Sequence, residues 1–176
     1  MIFLETAAIQ LKNLTKTFGS VVANDHVSLE IRHGEILALL GENGSGKTTL
    51  MNMLSGIYYP DSGEIIVCGR PVKPLSPAEM GIIIEHPGFI SGLSGYRNLR
   101  YLAGIRNRIS KEKIRQTIEL VGLDPDEKKA VRKYSMGMRQ RLGIAQAIME
   151  DPPILVIDEP MNGLDKHGVT EMRELL

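Results

Sequence analysis

The sequence has no tryptophan, few aromatic residues of any kind and a single cysteine, Cys68. One cysteine excludes an intrachain disulfide, and its expected state is a small buried hydrophobe in a reducing compartment. Net charge is missing as well: Lys plus Arg and Asp plus Glu both count 21. Without a global field the chain has nothing to draw it onto nucleic acid or anionic lipid. No basic block runs longer than Lys128-Lys129. Long hydrophobic runs are also absent. The best, 36–40 and 154–157, are of strand length, whereas a bilayer span needs about 20 apolar residues. Residues 1–4 are apolar, but Glu5 interrupts them before a signal-peptide core could form. These absences predict a cytosolic chain whose link to any membrane runs through a partner.

What is present suits one globular domain with a real core: 43% hydrophobic and 24% charged residues over 176 positions. Residues 9–40 read as strands. Val27-Ser28-Leu29-Glu30-Ile31 alternates as a half-buried antiparallel strand does, whereas 35–40 is almost wholly apolar, the mark of a strand covered on both faces. A Gly-rich loop follows, then a helix with Leu50, Met51, Met53 and Leu54, ended near Gly56. Residues 63–69 form a short strand between turn glycines, and 81–84 a buried one. Residues 86–134 hold no strand pattern but two helical ones. Ser110 can cap the second, which carries Ile114, Ile118 and Val121 on one stripe and stops at Gly122. Ser135 precedes a third helix with Met138, Leu142, Ala145 and Met149 on one face, stopped by Pro152-Pro153. Residues 154–157 make the last buried strand, and 170–176 begin a further helix. The expected class is α/β, with a helical insert at about 86–150 and no repeats.

Gly41-Glu42-Asn43-Gly44-Ser45-Gly46-Lys47-Thr48 fits the pattern G-x-x-x-x-G-K-S/T, and it sits between a strand-like run and a helix. Glycines let the backbone curl so that successive N–H groups face phosphate oxygens, and the helix starting near Gly46 adds its positive dipole end. Lys47 supplies a point charge to β/γ-phosphates, and the Thr48 hydroxyl, followed by Thr49, is placed for Mg²⁺. An exposed lysine after an ordinary Gly-rich turn would look similar only without the strand–loop–helix context. The second signal is four apolar residues running straight into Asp158-Glu159-Pro160. Ligands collect outside the carboxyl ends of strands in an open parallel sheet. There Asp158 can coordinate Mg²⁺, directly or through water, and Glu159 can polarise the attacking water. On its own the acidic pair would read as a solvated turn; with the Gly-rich loop it reads as an ATP·Mg²⁺ site.

Three further stretches narrow the choice. Tyr134-Ser135-Met136-Gly137-Met138-Arg139-Gln140-Arg141-Leu142 resembles the signature of ABC ATPases in its relaxed S-x-G-x-x-Q form. Asn162-Gly163-Leu164-Asp165 resembles that family's D-loop, and Lys16-Thr17-Phe18-Gly19 the segment whose aromatic stacks on adenine. The similarity to ABC transporter ATP-binding subunits covers essentially the whole chain, with Walker A at 41–48 and Walker B ending at 158–159. It implies a P-loop NTPase core with a mostly parallel sheet, an N-terminal antiparallel β part and an inserted helical subdomain. All of 1–176 would then be one domain, with 1–85 and 151–176 as the α/β core. Ser135 and Gly137 start a helix, and so form a second anion site. In the family that site faces the γ-phosphate held by the opposite subunit, which implies a head-to-tail pair around two ATPs, of one kind of subunit or two. Alone, Ser135 is a helix N-cap and Phe18 a core aromatic.

The segment Ile84-Glu85-His86-Pro87-Gly88-Phe89, running on through Leu93-Ser94-Gly95-Tyr96-Arg97-Asn98-Leu99, looks like the bacitracin-resistance and lantibiotic-immunity exporters. Glu85 stands where the wider family usually has Gln, and that group often carries this same Glu. The resemblance implies that Glu85 contacts Mg²⁺ or its water and adds negative charge beside Asp158 and Glu159; otherwise it is a surface acid at a strand end. The chain also stops before the family's histidine-bearing strand, which would lie between the Gly-rich-loop strand and the Asp-Glu strand. The expectation is a core sheet incomplete at the C-terminus, with Leu39 and Val156 losing neighbours, and a truncated product that binds nucleotide better than it hydrolyses it. His167 reads as a solvated turn residue, and His26, His33 and His86 have no spaced metal partners. The methionines at 51–53 and 136–138 read as core packing.

Taken together, the sequence predicts a cytoplasmic ATPase subunit, peripheral on the inner face of the membrane. It would power solute export, of an antimicrobial peptide or a drug, through separate transmembrane permease subunits. The helical insert would touch a permease loop. Two rival readings are an ABC-type ATPase acting on nucleic acid or ribosomes, which zero net charge and the lack of heptads oppose, and a catalytically silent nucleotide-binding module.

Overall fold

A computed structural model describes residues 7–72, 80–85, 87–161 and 166–175. The start of the chain, His86 and the D-loop-like stretch 162–165 lie outside the described residues. By internal contact the chain divides into two units, Met1–Ala78 and Glu79–Leu176.

In the first unit, β1 (Ile9–Phe18) and β2 (Val21–Ile31) form an antiparallel hairpin, and β3 (Ser62–Val67) and β4 (Arg70–Pro71) extend it in the order β2-β1-β3-β4. The register runs Ile9↔Ile31 to Phe18↔Val21 on one side of β1, and Ile9↔Val67 to Thr15↔Ser62 on the other. Bulges interrupt β1 after Leu11, and Asn13 there takes a left-handed φ of 49°. The apolar face of the sheet carries Ile9, Leu11, Leu14, Ile65 and Val67, all buried. Helix α1 (Lys47–Leu54) of this unit buries Leu50, Met53 and Leu54. Its last turn closes as expected, with Gly56 at φ 72° just past the C-cap Ser55. Cys68 differs from its expectation: it is only half-buried, in the turn between β3 and β4, at φ 47°.

The strand expected at 35–40 does not form. Residues 32–42 pair with nothing in a ladder, and Ile36 and Leu40 are 86% and 92% exposed. An apolar run becomes a strand only when a neighbour takes its backbone hydrogen bonds, and among the described residues no strand does so.

In the second unit, β5 (Met80–Ile83) and β6 (Ile154–Ile157) pair in parallel, with Ile83 opposite Ile157. This parallel pair is the whole of the unit's sheet among the described residues. Among the described residues β6 pairs with β5 alone; Val156 is buried, whereas Leu155 on the other face is 40% exposed. Between the strands run α2 (Gly95–Arg106), α3 (Lys111–Leu120), a 3₁₀ turn at Val131–Lys133 and α4 (Met136–Ile148). Each α-helix is opened by a serine: Ser94 accepts from Arg97 N, Ser110 from Lys113 N and Ser135 from Met138 N. Their apolar stripes meet in one core of Leu99, Ala103, Ile114, Ile118, Val121, Leu142, Ile144 and Ala145. Complete burial of a side chain such as Leu142 contributes about 2 kcal/mol. Met138 packs against this core, but Met136 does not: it starts α4 and is exposed. The final helix, α5 (Lys166–Leu175), begins four residues before the expected start, so that His167 lies in its first turn rather than in a loop. No helix among the described residues is long and apolar enough to cross a membrane.

Candidate functional site

The Gly-rich loop of the first unit is built against β2. Gly46 precedes α1 at φ 87°, and a β-carbon there would collide with the carbonyl oxygen of Ala23. Asn24, on the same strand, donates from Nδ2 to the Gly46 carbonyl at 3.4 Å. Gly44 is left-handed too, at φ 84°. The loop closes on itself through Ser45 N to Glu42 O at 3.2 Å. Lys47 then folds back over it: Nζ donates to the carbonyls of Gly41 and Glu42 at 2.7 and 2.8 Å, and to Ser45 Oγ at 3.3 Å. This brings Gly41, Glu42, Ser45, Gly46 and Lys47 together around one concave turn, with Asn43 and Gly44 at its tip. Helix α1 begins without a side-chain cap and carries Thr48 and Thr49 in its first turn, so its dipole end faces the loop.

Phe18 ends β1 in the same unit and is 45% exposed, not a core ring. Its ring meets Tyr58 edge-on at 5.5 Å, and the Lys16 ammonium lies 5.4 Å from its centroid. Asp61 anchors this strand end, bonding Lys16 Nζ and both N and Oγ1 of Thr17. The lysine hydrogen bond, followed by those of Thr17, holds the Asp61 carboxyl down at about 2.

In the second unit the carboxylates gather at the carboxyl ends of the parallel pair. Asp158 N donates to Ile83 O at 2.7 Å, continuing the ladder one step past β6. Glu85 and Glu159 each stand two residues beyond the paired Ile83 and Ile157. Both have left-handed backbones, φ 62° and 47°, a conformation that costs a non-glycine residue about 1–2 kcal/mol. Helix α4 is tied to this turn: Gln140 Nε2 donates to the carbonyls of Glu159 and Pro160, each at 3.4 Å. Ser135 and Gly137 start α4, and Arg139 Nη1 reaches back to Tyr134 O at 2.8 Å. Tyr134 is itself fixed, its hydroxyl accepting from Gly95 N at 3.2 Å.

The side chains expected at the metal carry hard oxygen donors, the type Mg²⁺ takes: a hydroxyl at Thr48 in the first unit, and carboxylates at Asp158 and Glu85 in the second. No cluster of three or more metal-ligating side chains occurs among the described residues.

Four supports of these residues were not legible as patterns: Asn24, Asp61, Tyr134 and Gln140. Their partners lie 22, 44, 39 and 19 positions away. No local spacing rule reaches so far.

The family described as ABC transporter matches residues 24–162. The chain is 43% identical over 171 residues to the bacitracin transport ATP-binding protein BcrA of Enterococcus faecalis, covering 96% of this chain and 56% of that protein. It is 37% identical over 168 residues to the lantibiotic transport ATP-binding protein SrtF of Streptococcus pyogenes, covering 96% and 73%. The chain thus spans little more than half the length of BcrA. Among solved structures, it resembles a dimeric bacterial ABC transporter cassette with a TM-score of 0.86 at 24% identity, over 95% of this chain and 80% of that one. It resembles cbiO1 from Clostridium perfringens, part of the ABC transporter complex cbiONQ, with a TM-score of 0.80 at 25% identity, over 96% and 72%. The fold is therefore that of the P-loop NTPase cassettes, and the chain belongs to the ABC transporter family.

Proposed function

We propose that this chain is the ATP-binding, ATP-hydrolysing part of an exporter that drives a solute, an antimicrobial peptide or a drug, through separate membrane subunits. The observation that carries the reading is the loop at 41–47, curled around the Lys47 ammonium at the start of α1. In this proposal residues 1–176 act as one ABC ATPase domain, with 86–150 as its helical subdomain, peripheral on the inner face of the cell membrane. The backbone N–H groups of residues 41–49 and Lys47 hold the triphosphate, and Phe18 takes the adenine face. Thr48, Asp158 and Glu85 are the residues that would hold Mg²⁺, which neutralises charge on the β- and γ-phosphate oxygens when bound. Glu159 acts as general base on the attacking water. Ser135 and Gly137 present the α4 N-terminus to the γ-phosphate of a second ABC subunit paired head to tail. The solved cassette described as dimeric and the transport ATP-binding relatives support this reading. An open groove lined by Leu93, Arg97, Arg100, Tyr101, Gly104 and Ile105 along α2 offers a permease loop both apolar and cationic contacts.

Equilibrium binding of ATP·Mg²⁺ tests the core of the proposal. Lys47→Ala is expected to weaken it by about tenfold or more, and Glu159→Gln to leave binding intact while abolishing turnover measured with a membrane partner. Affinity indifferent to Lys47→Ala would overturn the assignment.

A further inference from the structure

Asp61 stands on the turn before β3, where its N–H donates to Thr15 O at 2.8 Å, directly beside the end of β1. Its carboxylate makes three bonds to two consecutive residues: Oδ1 takes Lys16 Nζ at 2.8 Å, and Oδ2 takes Thr17 N and Thr17 Oγ1, both at 2.7 Å. Thr17 is the residue immediately before Phe18. Lys16, held by the same carboxylate, carries the ammonium that lies 5.4 Å from the Phe18 ring centroid. The lysine side chain is well covered, at 16% exposure, so a neighbouring charge counts for more here than it would in open solvent. Tyr58 closes on the ring from a second direction, at 69° between planes. One acid thus controls the backbone next to Phe18 and the cation set against its ring. The direction of its acidity agrees, since the Lys16 and Thr17 bonds keep it ionised far below neutral pH.

We propose that Asp61 is the positioning residue of Phe18, holding Lys16 and Thr17 so that the ring stands oriented, with Tyr58, to receive an adenine base. This rests on the nucleotide-binding reading given above. It divides the affinity between two parts of the first unit. Lys47 and its loop hold the phosphates, and Asp61, through Phe18, sets the part that depends on the base. An exposed aromatic that must reorient on binding gives up part of its stacking free energy to ordering; a ring already held gives up less.

The test compares ATP·Mg²⁺ with tripolyphosphate·Mg²⁺, a probe that has no base, by titration calorimetry on the full chain. Asp61→Asn and Phe18→Ala are each expected to weaken ATP by about five- to tenfold, the scale of one base–aromatic stack, and to leave tripolyphosphate within about twofold. The double variant is expected to be no weaker than Phe18→Ala alone, because both act on one contact. Lys16→Gln keeps the Thr17 bonds, and should show a smaller loss confined to ATP; it serves if Asp61→Asn fails to fold by circular dichroism. Equal loss of both ligands in Asp61→Asn, or losses that multiply in the double variant, would overturn the proposal. A different result marks failure of the underlying reading: wild-type chain that binds neither probe, or binding of both that ignores Lys47→Ala.

Discussion

The carbonyl oxygen of Ala23 stands where a β-carbon on Gly46 would lie. This is why the strand β2 and the turn into α1 approach so closely, and why the last glycine of the loop serves two purposes. It supplies a φ of 87° that side chains rarely adopt, and it leaves room for a neighbouring backbone.

Gly46→Ala should therefore both strain the turn and push β2 away. The left-handed backbone alone costs about 1–2 kcal/mol, and displacing a backbone carbonyl adds to it. The expected outcome is a melting temperature several degrees lower, together with weakened ATP·Mg²⁺ binding. Thermal denaturation and titration on the same preparation check it. Wild-type values in both would show that the close approach is not maintained in solution.

Asn24 is 8% exposed, and its Oδ1 makes no hydrogen bond although its Nδ2 supports Gly46. A buried acceptor without a partner costs about 1–3 kcal/mol, which offsets the amide's contribution. Asn24→Leu, close in shape, is expected to change stability by less than about 1 kcal/mol, in either direction. Asn24→Asp places a charge in the same space and should destabilise far more. Denaturant titrations of the three proteins decide the order; equal midpoints for Asn24→Asp and wild type would contradict the burial.

Asp61 makes stability depend on acid. Its folded-state carboxyl is depressed from 3.8 to about 2, so its stabilisation is present above pH 3.8 and is lost as pH falls toward 2. The difference in unfolding free energy between wild type and Asp61→Asn should be constant from pH 6 to about 4, then shrink. A difference that stays flat down to pH 2 would remove the carboxylate from the account.

Tyr134 works at the opposite end of the scale. Burial is the main cause that raises its phenol above 10, the bond from Gly95 N acting in the other direction. A raised folded value means stability that is full below pH 10 and falls as pH rises through the folded pKa. Tyr134→Phe should remove that alkaline loss. At neutral pH it should cost about 1 kcal/mol, because the Gly95 N–H at the start of α2 then lacks its partner. Phenolate absorbance against pH, together with neutral-pH denaturation, measures both effects.

Much of the helical unit was readable because its signals are local. Ser110 and Ser135 cap helices three residues before the N–H groups they accept from, and the stripe of Ile114, Ile118 and Val121 repeats at the helical period. The Gly-rich loop was readable for the same reason: glycine spacing, a lysine and a following helix are all contained in one short stretch. The run at 35–40 looks like a strand in sequence and is not one in the fold, because hydrophobicity describes what a segment would bury, not whether a neighbour is there to pair with it. The carboxylates Glu85 and Glu159 could be placed at strand ends. That both would sit two residues past one register pair, in left-handed backbone, could not.

The order of residues alone determined whatever depends on neighbours within a few positions: caps, turn glycines, helical stripes, and the motifs that place the chain in its family. Folding in three dimensions decided the rest. It brought Asp61 to Lys16 and Thr17, Asn24 to Gly46 and Gln140 to the Glu159 carbonyl. The physical reason is that a hydrogen bond is satisfied by whichever group arrives within about 3 Å, and across dozens of residues only the packed chain chooses which one does.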